Sequence, residues 1–197
     1  LSDLETRIKG EPVTQTPAMK LGAAFHKVAE GDLDLEPYFG SHSGFTAASF
    51  YCADGMLFDV DSTDEALALR GPGVAEVWCS RQLLTVPYAP LLRGRSDWLS
   101  GIIPYEIKTK EKDFDPTDYA ASLQWQCYLH MLSTEECRYL LVRLEERVEG
   151  VWWVRDADVL PLFRYVGMEE HINQWATRFM HFCEQRNLLS YLDKELL

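Results

Sequence analysis

Two runs of strand-forming residues, 91–99 and 102–109, are separated by little more than Ser100-Gly101. So short a connection is a tight turn, and the two runs are expected as neighbouring strands. Pro104 is tolerated near the start of the second run but not in its middle. Side chains alternate across a strand with period two. Glu106 and Lys108 therefore project from one face, and Tyr105, Ile107 and Thr109 from the other. If the strands pair, Asp97 falls beside Glu106, and two carboxylates and an ammonium converge at the rim of a sheet. Carboxylate oxygens bind hard cations such as Mg²⁺, which keep waters and phosphate oxygens as further ligands. Such an ion lowers the pKa of bound water and offsets charge in phosphodiester hydrolysis, and a neighbouring Lys neutralises charge on the phosphate. The same residues also suit a surface hairpin with a cross-strand ion pair.

The rest of the chain reads as alternating strands and helices around this hairpin. Residues 1–16 are a polar lead-in. Residues 17–30 form a helix with Thr16 as N-cap, Pro17 in the first turn and Gly31 as the stop. The signal over 33–64 is mixed and loop-rich, with short apolar runs at 45–51 and 56–60. Residues 74–84 alternate as a strand. Asp115-Pro116 opens a helix expected to run to about Leu132. Residues 137–145 and 151–154 pair across Glu149-Gly150, and 168–192 is expected as a single C-terminal helix. Trp152-Trp153 and 163–165 are expected as core and edge packing, with a base-stacking platform as the alternative, and Glu145-Glu146 and Glu169-Glu170 as solvated faces. His171 and His181 have no spacing that argues for a second metal. With no repeat and no linker, the expectation is one α/β domain over 1–197.

Two helical patterns add chemistry. Gly22, His26 and Glu30 recur at i, i+4 and i+8, near one face, where an imidazole could join a metal site and shift its preference towards Mn²⁺; a packed or solvated histidine has the same spacing. Gln124 and Tyr128 are one turn apart, and both can hydrogen-bond a strand backbone, a carboxylate or a phosphate; a polar stripe reads the same way.

A helix with GxxxH, then GRxD at 94–97, then ExK at 106–108 with a following Thr, then a helix with QxxxY, resembles the PD-(D/E)XK nuclease superfamily. Within it the pattern is similar to the RecB-like and phage recombination-exonuclease branch. The resemblance covers about residues 17–133, with 134–197 completing the strands and the C-terminal helix. It implies an α/β (α+β) fold: a central mixed sheet flanked by helices, with a restriction-endonuclease-like core. It implies His26, Asp97, Glu106 and the Ile107 carbonyl as ligands of Mg²⁺ or Mn²⁺, Lys108 as the catalytic lysine, and Gln124 and Tyr128 as supporting residues near the active site. Glu76 is a further acidic candidate, since some related nucleases place an acid on the preceding strand; a solvent-facing glutamate is the alternative. Arg93, Arg95 and Lys110, with Gln124 and Tyr128, are candidates for contacting substrate. The iron–sulphur branches hold a close cysteine group near the C-terminus that Cys183 lacks, so no cluster is expected.

The implied function is a metal-dependent deoxyribonuclease, an exonuclease rather than a site-specific enzyme since 197 residues leave little room for a sequence-reading domain. Phage or prophage recombination and repair is the implied setting. Linear duplex or single-stranded DNA would be its substrate, and a recombinase or single-strand-annealing protein a candidate partner. Some relatives form rings, so an oligomer is an open expectation. The alternatives are an inactive nuclease-fold module that binds a protein partner, and a structure-specific endonuclease.

Composition bears on these expectations at three points. The net charge is −12, which as a whole repels nucleic acid and anionic membranes. Locally the sign reverses: Arg93, Arg95, Lys108, Lys110 and Lys112 outnumber Asp97, Glu106 and Glu111 over 93–112, and bound metal would make this stretch more positive. DNA is therefore expected to engage a small, metal-completed cleft. The five cysteines are odd in number and without CxxC spacing, which points to reduced thiols. There is no run of 18 apolar residues and no signal-peptide pattern, so a cytoplasmic location in a bacterium or infected host is expected, without a membrane. The chain starts at Leu1 rather than Met, as a trimmed chain would.

Overall fold

The computed structural model describes residues 2–31 and 49–192. Seven strands form one mixed sheet: β1 (Phe50–Ala53), β2 (Met56–Asp59), β3 (Val74–Gln82), β4 (Leu91–Ser100), β5 (Ile103–Lys110), β6 (Glu136–Val148) and β7 (Val151–Phe163). Their spatial order is β1-β2-β7-β6-β5-β4-β3. The β2–β7 and β5–β6 pairs are parallel and the others antiparallel. The helices are α1 (Ser2–Ile8), α2 (Pro17–Glu30), α3 (Val60–Ala68), α4 (Pro116–Ala120), α5 (Gln124–Leu132), α6 (Met168–Gln185) and α7 (Leu189–Leu192). This is the mixed sheet flanked by helices that the sequence led us to expect.

Each face of the sheet buries its own core. On one face α2 turns Leu21, Ala24, Phe25, Val28 and Ala29 onto Tyr105 and Ile107 of β5 and Leu140, Val142 and Leu144 of β6. On the other, Trp125, Tyr128 and Leu129 of α5 and Ile172, Ala176 and Met180 of α6 cover Tyr139, Leu141 and Leu162. Odd and even residues of β6 thus divide between two cores, as a strand buried on both sides must. Each fully buried large apolar side chain contributes about 1.5–3 kcal/mol over its exposed state. Helix α2 begins and ends as its caps require: Thr16 Oγ1 accepts from Met19 N–H at 3.2 Å, and Gly31 sits at φ +78°.

Several local expectations need correction. The lead-in contains the short helix α1. The apolar run at 45–51 lies partly outside the described residues; its remainder enters β1. The helix expected from Asp115 to Leu132 is broken into α4 and α5. At the break Ser122 Oγ accepts from Gln124 N–H at 3.2 Å, and the Trp125 indole N–H donates to the Ala120 carbonyl at 3.1 Å. Side-chain bonds of this kind compete with continuous helix. Strand β7 continues to Phe163 because β6 offers a full-length partner, with irregularities at Arg143/Leu144 and Glu146/Val148. Helix α6 ends at Gln185, where Asn187 adopts φ +55° and Leu188 N–H bonds back to the Cys183 carbonyl at 2.7 Å; Asn tolerates this left-handed stop. Trp152 and Trp153 are buried, whereas Phe163 is 58% exposed. Among the described residues, no helix is long and apolar enough to cross a membrane.

Gly73 leads into β3 at a point where a Cβ would strike the Leu99 carbonyl oxygen and the Trp98 indole. Backbone cannot yield as a flexible side chain does, so we expect Gly73→Ala to cost about 2–3 kcal/mol. In thermal unfolding that is a Tm lower by roughly 5–10 °C. An unchanged Tm would mean the β3–β4 approach is looser than described.

Candidate active site

The site lies where β4 and β5 part. The hairpin pairs Ser100 with Ile103, Leu99 with Pro104 and Trp98 with Tyr105; beyond Trp98, β4 follows β3 and β5 follows β6. Asp97 and Glu106 are the first residues past the split. Asp97 Oδ2 accepts from the Ile107 amide at 2.7 Å, so a side-chain oxygen takes the role a ladder carbonyl would have played. Ser96, fully buried, closes the root of the fork, with Oγ 2.9 Å from the Trp98 carbonyl and 3.1 Å from that of Tyr105.

Glu106 is 2% exposed. Its Oε2 accepts from Lys108 Nζ at 3.1 Å and from Gln124 Nε2 at 2.6 Å. Its Oε1 is buried without a hydrogen-bond partner. Burial first, and then the Asp97 carboxylate, push the Glu106 carboxyl up to about 7, against Lys108 and the Tyr128 hydroxyl, which pull it down. The break before α5 is what aims Gln124, in its first turn, at this carboxylate. One turn on, the Tyr128 hydroxyl donates to the Arg95 carbonyl at 2.7 Å and holds β4 in its parted course. Gly94 permits this approach: a Cβ there would lie 3.1 Å from the Tyr128 ring and 2.8 Å from Met131 Cε.

From the opposite side of the sheet α2 delivers His26. Its Nε2–H donates to the Ile107 carbonyl at 3.0 Å, and its Nδ1 lies 3.5 Å from Asp97 Oδ1. Burial lowers the imidazole's pKa, but Asp97 and the Ile107 carbonyl outweigh it, so the pKa is raised overall. Glu30, one turn further, meets Glu76: desolvation and the Glu76 carboxylate raise its pKa. Glu76 has φ +58° and stands opposite Asp97, between the Ala75–Trp98 and Val77–Ser96 pairs. It forms an ion pair with Arg95. A left-handed glutamate inside a strand is strained backbone of a kind that concentrates at functional sites.

His26, Asp97, Glu106, Ile107, Lys108, Gln124 and Tyr128 therefore meet at one fork, and Glu76 borders it through Arg95. Lys110 points elsewhere, 5.5 Å from the Phe114 ring centre and 5.4 Å from that of Tyr119. The Arg93 guanidinium is 5.9 Å from the Trp78 ring. Sequence reasoning passed over Ser96, which had no signal beyond its position before Asp97, and placed Glu30 on the His26 face without giving it a role.

In type, one imidazole, two carboxylates and a carbonyl fit a hard divalent cation, and the orphaned Glu106 Oε1 is an acceptor with nothing to accept. In placement the fit is partial. Among the described residues no three His, Cys, Asp or Glu side chains converge into a ready cage, since His26 bonds the Ile107 carbonyl directly and Glu106 turns Oε2 to Lys108 and Gln124.

No family model and no curated protein matches the chain. Solved structures do. A candidate exonuclease from Eubacterium rectale superposes with a TM-score of 0.51 at 12% identity, over 97% of this chain and 73% of that one. The protein SSO0001 superposes with a TM-score of 0.45 at 19% identity, over 60% of this chain, which spans 55% of its length. At 12% identity the likeness to the Eubacterium rectale protein is one of fold: this chain shares the fold of a candidate exonuclease.

Proposed function

We propose that this chain is a divalent-metal-dependent deoxyribonuclease that hydrolyses phosphodiester bonds at the β4–β5 fork, working from DNA ends. The observation that carries the reading is the convergence of Asp97, Glu106 and Lys108 there, with Glu106 buried and one of its oxygens unpartnered. The fold shared with a candidate exonuclease supports it, and supports an exonuclease over a structure-specific endonuclease. Mg²⁺ or Mn²⁺ held by His26, Asp97, Glu106 and the Ile107 carbonyl would lower the pKa of bound water and offset charge on the phosphate. The protein's own groups do the rest. Lys108 and Gln124 hold Glu106 Oε2, leaving Oε1 as the free acceptor. The Lys108 ammonium neutralises charge developing on the scissile phosphate. Tyr128, bonded to the Arg95 carbonyl, holds β4 in its parted course.

The test is digestion of end-labelled linear duplex and single-stranded DNA. Wild type should release label in Mg²⁺ or Mn²⁺, and chelator should stop it. Lys108→Ala should slow release about 10²–10³-fold, the scale of losing one preorganised charge-stabilising group. Equal digestion by wild type and Lys108→Ala would overturn the reading. The hydrogen bonds already occupying His26 and Glu106 favour, as a second reading, an inactive module that docks a protein partner such as a recombinase; no digestion and no divalent-cation binding in calorimetry would select it.

A further inference from the structure

Arg93, Arg95 and Asp97 fall on one face of β4 by strand alternation, spaced about 6.6 Å per two residues. The two guanidiniums thus step away from the fork along a single line. Trp78 pairs with Arg95 across the β3–β4 ladder, and Ser80 with Arg93. Trp78 is 66% exposed, with the Arg95 and Arg93 guanidiniums over its ring, 5.5 and 5.9 Å from the centre. Cys79 and Arg81, the alternate residues of β3, turn the other way: Cys79 Sγ lies 3.9 Å from Met131 Sδ, and Arg81 donates to the His130 carbonyl. Trp78 is therefore not a stray core residue but belongs to the outward row. In a chain of net charge −12, an exposed indole beside two guanidiniums concentrates positive charge, although Arg95 also pairs with Glu76. That combination suits an unpaired nucleobase, whose face stacks on the ring, and its neighbouring phosphates, which the guanidiniums attract.

We propose that Trp78, flanked by Arg93 and Arg95, is a base-stacking platform that seats an unpaired DNA strand on its way to the fork. The direction of the strand rests on the nuclease reading; the binding itself does not. The consequence is a preference for single-stranded DNA, or for ends that fray, over blunt duplex, whose bases offer no free face along the strand.

Fluorescence anisotropy in Ca²⁺ tests this on a Lys108→Ala background, which slows cleavage and keeps the β3–β4 face. The probes are an intact single strand, a strand of equal length carrying abasic sites, and a blunt duplex. The intact strand should bind about tenfold more tightly than the abasic one, as one aromatic stack provides. Adding Trp78→Ala should erase that difference, and Trp78→Phe should restore most of it. Arg93→Gln should weaken both strands alike and flatten the salt slope by about 0.7. Trp78 is exposed, so melting curves of its variants should overlay the parent. Equal binding of intact and abasic strands, discrimination that survives Trp78→Ala, or a Trp78-dependent dimer in sedimentation would each overturn the proposal. Trp78-dependent stacking in a protein whose wild type digests nothing would reject the nuclease reading and keep the platform; digestion that ignores Trp78 would do the reverse.

Discussion

Glu106→Gln is expected to reduce DNA digestion by about 10³-fold or more while making the protein more stable. The loss of activity follows from the loss of a negative oxygen at the fork. The gain in stability follows from burial. The carboxylate is 2% exposed, faces Asp97 and leaves Oε1 unpartnered. A buried charge with incomplete partners costs more than a neutral group of the same shape. The amide oxygen of Gln can still accept from Lys108 and Gln124, so the bonds at Oε2 survive. The amide NH2 replaces Oε1 next to the Asp97 carboxylate, where a donor is favoured over a second negative oxygen. We expect a gain of about 1–2 kcal/mol, which thermal unfolding in chelator would read as a Tm raised by roughly 2–8 °C. Opposite signs for activity and stability are what a functional residue held at structural cost produces. If the variant melts several degrees lower, Glu106 is instead one half of a stabilising pair with Lys108.

Asp97 separates the same two roles by comparison of two variants. Asp97→Asn keeps an oxygen to accept from the Ile107 amide, so its Tm should stay within a degree or two of wild type. Asp97→Ala removes the acceptor and leaves a backbone N–H unsatisfied at the root of the fork, a loss of about 1–3 kcal/mol. Both should lose digestion by about 10³-fold, because neither carries the charge. The measurement is paired: end-label release and melting temperature on each variant. Digestion retained by Asp97→Asn would show that the side chain serves only to satisfy the Ile107 amide across the fork.

These residues were legible because their relationships are local or nearly so. Glu106 and Lys108 share a strand face by period two, and Gln124 and Tyr128 a helix face by one turn. The Ser100-Gly101 connection brings Asp97 level with Glu106. The cap at Thr16 and the stop at Gly31 delimit the helix that carries His26. Where reading failed, distant contacts had outweighed local preference. Asp115 to Leu132 is continuous by propensity, but Trp125 and Ser122 satisfy the backbone of a break that lets α5 aim Gln124 at β5. β7 outruns its apolar pattern because β6 pairs with it throughout.

From the sequence alone came the inventory of the site: which acid, base and amide groups exist, and which pairs must face the same way. Only the tertiary structure decided that β4 and β5 part after Trp98, that Glu76 turns left-handed opposite Asp97, that the Glu106 carboxyl is buried with a vacant oxygen, and that Trp78 stands exposed beside two arginines. Periodicity assigns a residue to a face of its own strand or helix. Where two strands separate, and what the opened face leaves uncovered, depends on the packing of α2 and α5 from opposite sides of the sheet. Those contacts join residues dozens of positions apart, beyond the reach of any local pattern.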